Sequence, residues 1–242
     1  MNRLKIGVLI PSTNTVAEPE LWSVLPDGVT VHVGRMLVTR TEVGTDEGYL
    51  YLNEQMMAAL EPTLDNLLTC RPDHLALGMS AMSMVGGPDA DADLRSRLQA
   101  AAGVPVTSGP AALVAALHTV GAERIAVISP FQPAVHREAV GYFTASRFGV
   151  EADHSFLATS TLGIAQIDRS EIRGALDAVD SDRIDAVVQP GTNLAMAHAA
   201  AAAEWWLGKP VLHVNTAMAW EVLRFHGIPH QVAGYGSLLA EH

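Results

Sequence analysis

The segment Leu75-Ala-Leu-Gly-Met-Ser-Ala-Met-Ser-Met-Val-Gly-Gly87 ends an apolar run in small polar residues and two glycines. In α/β proteins a strand that opens into such a loop presents a ligand-binding or reactive segment. Three further loops share the pattern: Pro11-Ser12-Thr13-Asn14-Thr15, Ser129-Pro130-Phe131 and Pro190-Gly191-Thr192-Asn193-Leu194. Hydroxyls, carboxamides and backbone N–H groups just ahead of a helix suit a carboxylate or a developing oxyanion. They equally suit helix capping. Gly78-Met79-Ser80-Ala81-Met82 begins like the Gly-x-Ser-x-Gly nucleophile elbow but carries Met82 at the last glycine. A Ser80 nucleophile needs a base, for which His136 and His213 stand on other loops; otherwise Ser80 and Ser83 bond the backbone and the methionines fill gaps.

Several chemistries are excluded. There is neither a Gly-x-Gly-x-x-Gly stretch nor a Gly-Lys-Ser/Thr loop, so no nucleotide cofactor is expected. Lys5 and Lys209, the two lysines, begin a strand and sit in a turn, places unsuited to a Schiff base. Of the ten histidines, His226 and His230 alone have i, i+4 spacing, and Pro229 interrupts them, so no metal is expected. The single cysteine, Cys70, precludes an intramolecular disulfide.

The elements that must position these loops alternate. Short apolar runs at Lys5–Ile10, Val29–Val33, Leu75–Gly78, Val104–Thr107, Arg124–Ser129, Ala186–Gln189 and Val211–Val214 read as strands buried on both faces of a parallel sheet. Helical patterns lie between them at Asn53–Leu68, Asp91–Ala101, Ala111–Thr119, Ala134–Phe148, Ser170–Ala178, Ala195–Leu207 and Ala217–Phe225. A faint repeat relates Ile6–Pro11 to Ile125–Pro130, and Leu75–Ser80 to Ala186–Thr192. The expectation is α/β architecture: two pseudo-symmetric doubly wound lobes, residues 1–110 and 111–215, with the four loops around one cleft. Residues 216–242 are expected to form a C-terminal helix and tail packing back on the first lobe.

The chain is acidic, with a formal net charge of −11, which argues against nucleic acid or an anionic membrane surface as partner. The start, MNRLKIGVLIPS, reads as a first strand rather than a signal segment, and the Ala-rich stretch from Ala195 to Leu207 is too short to span a bilayer. A cytoplasmic protein is expected. If the helix ending in Trp205 and Trp206 exposes its apolar face, a homodimer or larger homo-oligomer is expected; the alternative is core packing.

At these loops the sequence resembles the Asp/Glu racemase superfamily, in its maleate isomerase and arylmalonate decarboxylase branch. PSTNTVAEPELWSVLPDGVTVHVGRM is similar to the branch's Pro-Ser-Ser-Asn-Thr opening, and ERIAVISPF to its Thr-Pro-Tyr segment. PGTNL is similar to its Cys-Thr-Asn-Leu segment, and KPVLHVNTAMAWEVLRFHGI to its closing segment. The resemblance implies a pseudo-twofold enzyme that holds a substrate carboxylate on hydroxyls, an asparagine and amides. It also implies a cysteine on each face, adding to or protonating the adjacent carbon. Here those cysteine positions fall on Met79 and Gly191, the third-loop tyrosine on Phe131, and an expected asparagine on Thr161. A thioether exchanges no proton and glycine supplies backbone alone.

What the resemblance leaves intact is the binding half: Ser12, Thr13, Asn14, Ser80, Thr192, Asn193 and Asn215, with Met79, Ser83, Phe131, Thr161 and Gly191 beside them. The expected function is an enzyme acting on a small carboxylate or carbonyl compound without cysteine, by decarboxylation, elimination, isomerisation or hydrolysis. Ser80, Thr192 and His213 are its expected catalytic groups. A non-catalytic carboxylate-binding protein is the alternative.

Overall fold

The computed structural model describes residues 4–242. Two four-stranded parallel sheets share one strand order, β2-β1-β3-β4 and β6-β5-β7-β8. The first holds β1 (Leu4–Pro11), β2 (Val29–Met36), β3 (His74–Leu77) and β4 (Val106–Ser108). The second holds β5 (Arg124–Ser129), β6 (Gly149–Ser155), β7 (Ala186–Gln189) and β8 (Val211–His213). Val8, Leu9 and Ile10 of β1, and Ala126, Val127 and Ile128 of β5, are fully buried, as central strands covered on both faces must be.

In each sheet the chain leaves the first central strand for one edge and returns to the other central strand, so a topological switch point lies between β1 and β3 and another between β5 and β7. Ligands bind outside the carboxyl ends of strands at such points. Those ends carry the four loops.

Three features differ from the sequence expectation. The edge strand β6 has sequence GVEADHS, whose alternating half-exposed residues give no continuous apolar run. Helix α1 (Ala17–Val24) was hidden by its short length and by Pro19. The Met-Ser segment is not all loop: Ser80–Met84 forms one helical turn, α3.

Helix α2 (Asp46–Leu68) starts about two turns earlier than its apolar periodicity suggests, because the Thr45 hydroxyl accepts from the Gly48 N–H and caps it. The helices that matter below are α4 (Gly87–Ala102), α5 (Gly109–Thr119), α6 (Pro133–Ala145), α7 (Thr161–Ile164), α8 (Arg169–Val179), α9 (Ala197–Leu207) and α10 (Val214–Phe225). α10 follows β8 directly and lies against α5 and α1.

The lobes are also clipped edge to edge. Val43 N–H donates to Thr159 O at 2.8 Å, Thr161 N–H donates to Thr41 O at 2.8 Å, and Glu42 and Ser160 form an antiparallel bridge. Among the described residues no helix is long and apolar enough to cross a membrane. Trp205 is 92% exposed, while Trp206 stacks on Arg173 and donates to Asp177.

Candidate active site

All four loops meet at one cavity of about 80 Å³. A single water needs only about 10–15 Å³ of such space, so the cavity suits one small organic molecule. Thr13 and Asn14 come from the first loop, Met79, Ser80 and Ala81 from the second, Pro130, Phe131 and Gln132 from the third, and Gly191, Thr192 and Asn193 from the fourth. Tyr49, Leu52 and Met56 of α2, Val43, Val135 of α6 and Thr161 and Ile164 of α7 complete an apolar wall.

Much of the polar lining is already committed. Asn14 Oδ1 accepts from the N–H groups of Val16 and Ala17, where the chain enters α1. Asn14 Nδ2 donates to Thr192 Oγ1 at 3.1 Å, and that hydroxyl donates to Gly78 O at 3.1 Å. Asn193 Oδ1 accepts from Thr15 N–H at 2.9 Å, and its Nδ2 donates to Thr161 O at 2.8 Å. These bonds join loops of both lobes into one rim.

Among the donors left free, four matter below. The hydroxyls of Ser80 and Thr161 are buried without a partner, an arrangement that is destabilising unless a ligand or water completes it. Ser80 Oγ is wedged against Gly109, where an added Cβ would come within 2.5 Å of it. The backbone N–H groups of Thr192 and Asn193 meet no acceptor among the described residues.

The other expected site residues lie elsewhere. Ser12 Oγ accepts from Val38 N–H at 3.0 Å and does not line the cavity. Ser83 is buried and turned back on Met79 O. His213 is not a proton carrier facing the cavity: its side chain is fully buried behind the fourth loop, with Nδ1 2.7 Å from Gln189 Oε1 and Nε2 2.6 Å from Glu20 Oε2. Asn215 joins the same group, donating to Glu20 Oε2 and Thr192 O. His136 is likewise engaged at both nitrogens, by Ser129 Oγ and Asp153, so Ser80 has no base within the cavity.

Tyr49 is the one titratable residue in the lining, and its hydroxyl donates to Ala81 O at 3.1 Å. Burial first, then the charge of Glu138, pushes its phenol well above the ordinary value. Cys70 is outside the cavity and donates to Leu67 O beyond the end of α2. No group of three or more His, Cys, Asp or Glu is placed to hold a metal among the described residues.

The sequence reading missed the α2 wall and Glu20. Tyr49, Leu52 and Met56 recur at helical spacing, a signal that marks core as readily as site. Glu20 gave none.

The arylmalonate decarboxylase family model matches residues 8–239. The chain belongs to this family. Curated relatives are maleate isomerases of Geobacillus stearothermophilus, 27% identical, and Pseudomonas putida, 26% identical, each over 98% of this chain and 97% of the relative. The Nocardia farcinica maleate cis-trans isomerase bound to Tris superposes with a TM-score of 0.88 at 26% identity, covering 98% of both chains. Another structure of that isomerase contains a covalently bound succinylcysteine intermediate, at 25% identity and a TM-score of 0.88. An arylmalonate decarboxylase structure, at 20% identity and a TM-score of 0.77, shares the fold.

At the two positions where the resemblance implies thiols, the packing of this chain is close. The Met79 side chain, 3% exposed, forms wall where the resemblance implies a thiol. At Gly191 an added Cβ would lie 2.6 and 2.7 Å from ring carbons of Pro130 and 2.7 Å from Gln189 Nε2. Pro130 and Gln189 take up the space that a side chain there would need.

Proposed function

We propose that this family member binds a small carboxylate in the interlobe cavity and transforms it without a thiol. The observation that carries this reading is the lining itself: free donors beside an apolar wall, with no Cys, His, Lys, Arg, Asp or Glu among them. Elimination and isomerisation each require a group that takes a proton or adds to carbon, and hydrolysis requires an activated water.

Decarboxylation of a substituted malonate asks least of these residues. The carbon–carbon bond to one carboxylate breaks, carbon dioxide leaves, and the electron pair becomes an enolate. The Ser80 and Thr161 hydroxyls and the Thr192 and Asn193 N–H groups are suited to hold the oxygens of that enolate. The wall of Leu52, Met56, Met79, Val135 and Ile164 withholds water from the departing carboxylate. The carbon then takes its proton from water.

The want of any Cys, His, Lys, Arg, Asp or Glu in the lining also favours a second reading, a carboxylate-binding protein without turnover. Incubation in deuterated water with arylmalonates, maleate, maleamate, aspartate, hydantoins and small lactones, followed by NMR, separates the two. The expected result is an arylacetate-type product carrying one solvent deuterium at the α-carbon, as both mirror forms. Saturation transfer from a carboxylate with no conversion would leave binding alone. Neither conversion nor binding across the panel would remove the carboxylate assignment.

A further inference from the structure

A buried polar group behind the fourth loop is unused by the chemistry above. Glu20 reaches in from α1 with its side chain 15% exposed, and accepts from His213 Nε2 at 2.6 Å and from Asn215 Nδ2 at 2.6 Å on one oxygen, and from Ala197 N–H at 3.1 Å on the other. Burial alone pushes this carboxyl up, but the charge and hydrogen bond of His213 and the bonds from Asn215 and Ala197 outweigh it, so Glu20 sits below the usual carboxylate value. On the far side of His213, Gln189 Oε1 faces Nδ1, while Gln189 Nε2 donates to Gly191 O at 3.1 Å. Asn215 Nδ2 also donates to Thr192 O at 3.0 Å.

These bonds end on two consecutive carbonyls of the cavity loop. In a trans peptide the C=O and the following N–H point in opposite directions. No cis peptide occurs among the described residues. Pinning Gly191 O toward Gln189 and Thr192 O toward Asn215 therefore turns the Thr192 and Asn193 N–H groups the other way. A turn bond from Leu194 N–H to Gly191 O at 3.1 Å closes the loop in this form.

We infer that Glu20, His213, Gln189 and Asn215 form a positioning frame that aims the Thr192 and Asn193 amides at an anionic ligand in the cavity. The inference rests on the carboxylate reading of that cavity. None of the four touches the ligand; each acts through the loop. His213, held from both sides, is the keystone that transmits the position of α1 to Gln189.

The sign of one substitution isolates this role. Glu20→Gln removes a negative charge behind an anion site, so charge alone would tighten carboxylate binding. Loss of positioning weakens it. Phenylacetate serves as an anionic probe and phenylacetamide as its neutral counterpart, each titrated into 15N-labelled wild type and E20Q with amide shifts recorded. The expected result is perturbation of the Thr192 and Asn193 amides by phenylacetate in the wild type. In E20Q its Kd rises at least tenfold and that of phenylacetamide changes less than twofold.

An unchanged or lower phenylacetate Kd in E20Q overturns the frame, as does wild-type binding that leaves both amides unmoved. If E20Q fails to fold, Gln189→Met removes the bond to Gly191 O and tests the same outcome. Should the wild type bind neither probe, the carboxylate reading falls, and the unliganded spectra decide the frame. The Thr192 and Asn193 amides must shift between wild type and E20Q, and unmoved signals there refute it.

Discussion

Restoring a side chain at Gly191 tests how completely the cavity has been rebuilt. An added Cβ meets the Pro130 ring at 2.6 and 2.7 Å and Gln189 Nε2 at 2.7 Å. Gly191 is not among the glycines with positive φ, so its backbone accepts any residue and the penalty is steric. A proline ring cannot swing aside, and moving Gln189 breaks its bond to Gly191 O. Overpacking of this kind costs about 1–3 kcal/mol. For a chain of this size each kcal/mol shifts Tm by roughly 2–4 °C. Gly191→Ala should therefore unfold roughly 2–12 °C below the wild type in scanning calorimetry, and Gly191→Cys at least as far below. Gly141→Ala is the control: it lies in α6 with nothing within 4 Å of the added Cβ. The gain from replacing a helical glycine, roughly 0.5–1 kcal/mol, should raise Tm. A Gly191→Ala protein as stable as the wild type would refute the crowding argument, and with it the steric account of the missing thiol.

Other outcomes follow from the same geometry. Asn14→Ala loses the bonds from Val16 and Ala17 N–H and should destabilise by about 0.5–1.5 kcal/mol for each, besides weakening carboxylate binding. Asn14→Asp keeps the acceptor, so calorimetry should show a smaller loss of stability, while its negative charge abolishes phenylacetate binding. Burial, with the Asp91 charge added, raises Glu221 from 4.5 to about 7, despite Arg95 and the Thr107 hydroxyl. Its folded value exceeds the unfolded one, so its stabilising contribution is whole below pH 4.5 and is lost as pH rises through about 7. Glu221→Gln should raise Tm at pH 8.5 and leave it nearly unchanged at pH 4.5, a difference checked by thermal melts at both. Alkylation of Cys70 should leave ligand affinity and any turnover unchanged, since its sulfur lies outside the cavity; complete loss in a still-folded protein would contradict the site.

The central strands were legible because burial on both faces forces continuous apolar runs such as IGVLI and IAVI, and the four loops followed from where those runs end. β6 was not, since an edge strand with one covered face mixes Glu151, Asp153 and His154 among small apolar residues. Asn14, Ser80 and Thr192 were readable as polar residues at strand ends, and Thr161 through the resemblance alone. Which of them keep a free hydroxyl depends on partners more than a hundred residues away, as with Thr192 and Gly78. His213 drew notice as a lone histidine beside a strand end. Its part is set by Glu20, 193 residues distant, and no local pattern records that pairing.

The clip between the segments at residues 41–43 and 159–161 bears on the kinetics of ligand exchange. Val43, Ala158 and Thr161 line the cavity, and the two backbone bonds beside them tie its wall across both lobes. The lobes cannot part at that edge while those bonds hold, and α10 lies against both α5 and α1. Widening the entrance thus means giving up about 0.5–1.5 kcal/mol for each bond. That toll falls on arrival and departure alike, so it lengthens residence time without altering affinity, and a bulkier acid should exchange more slowly than a slender one of equal Kd.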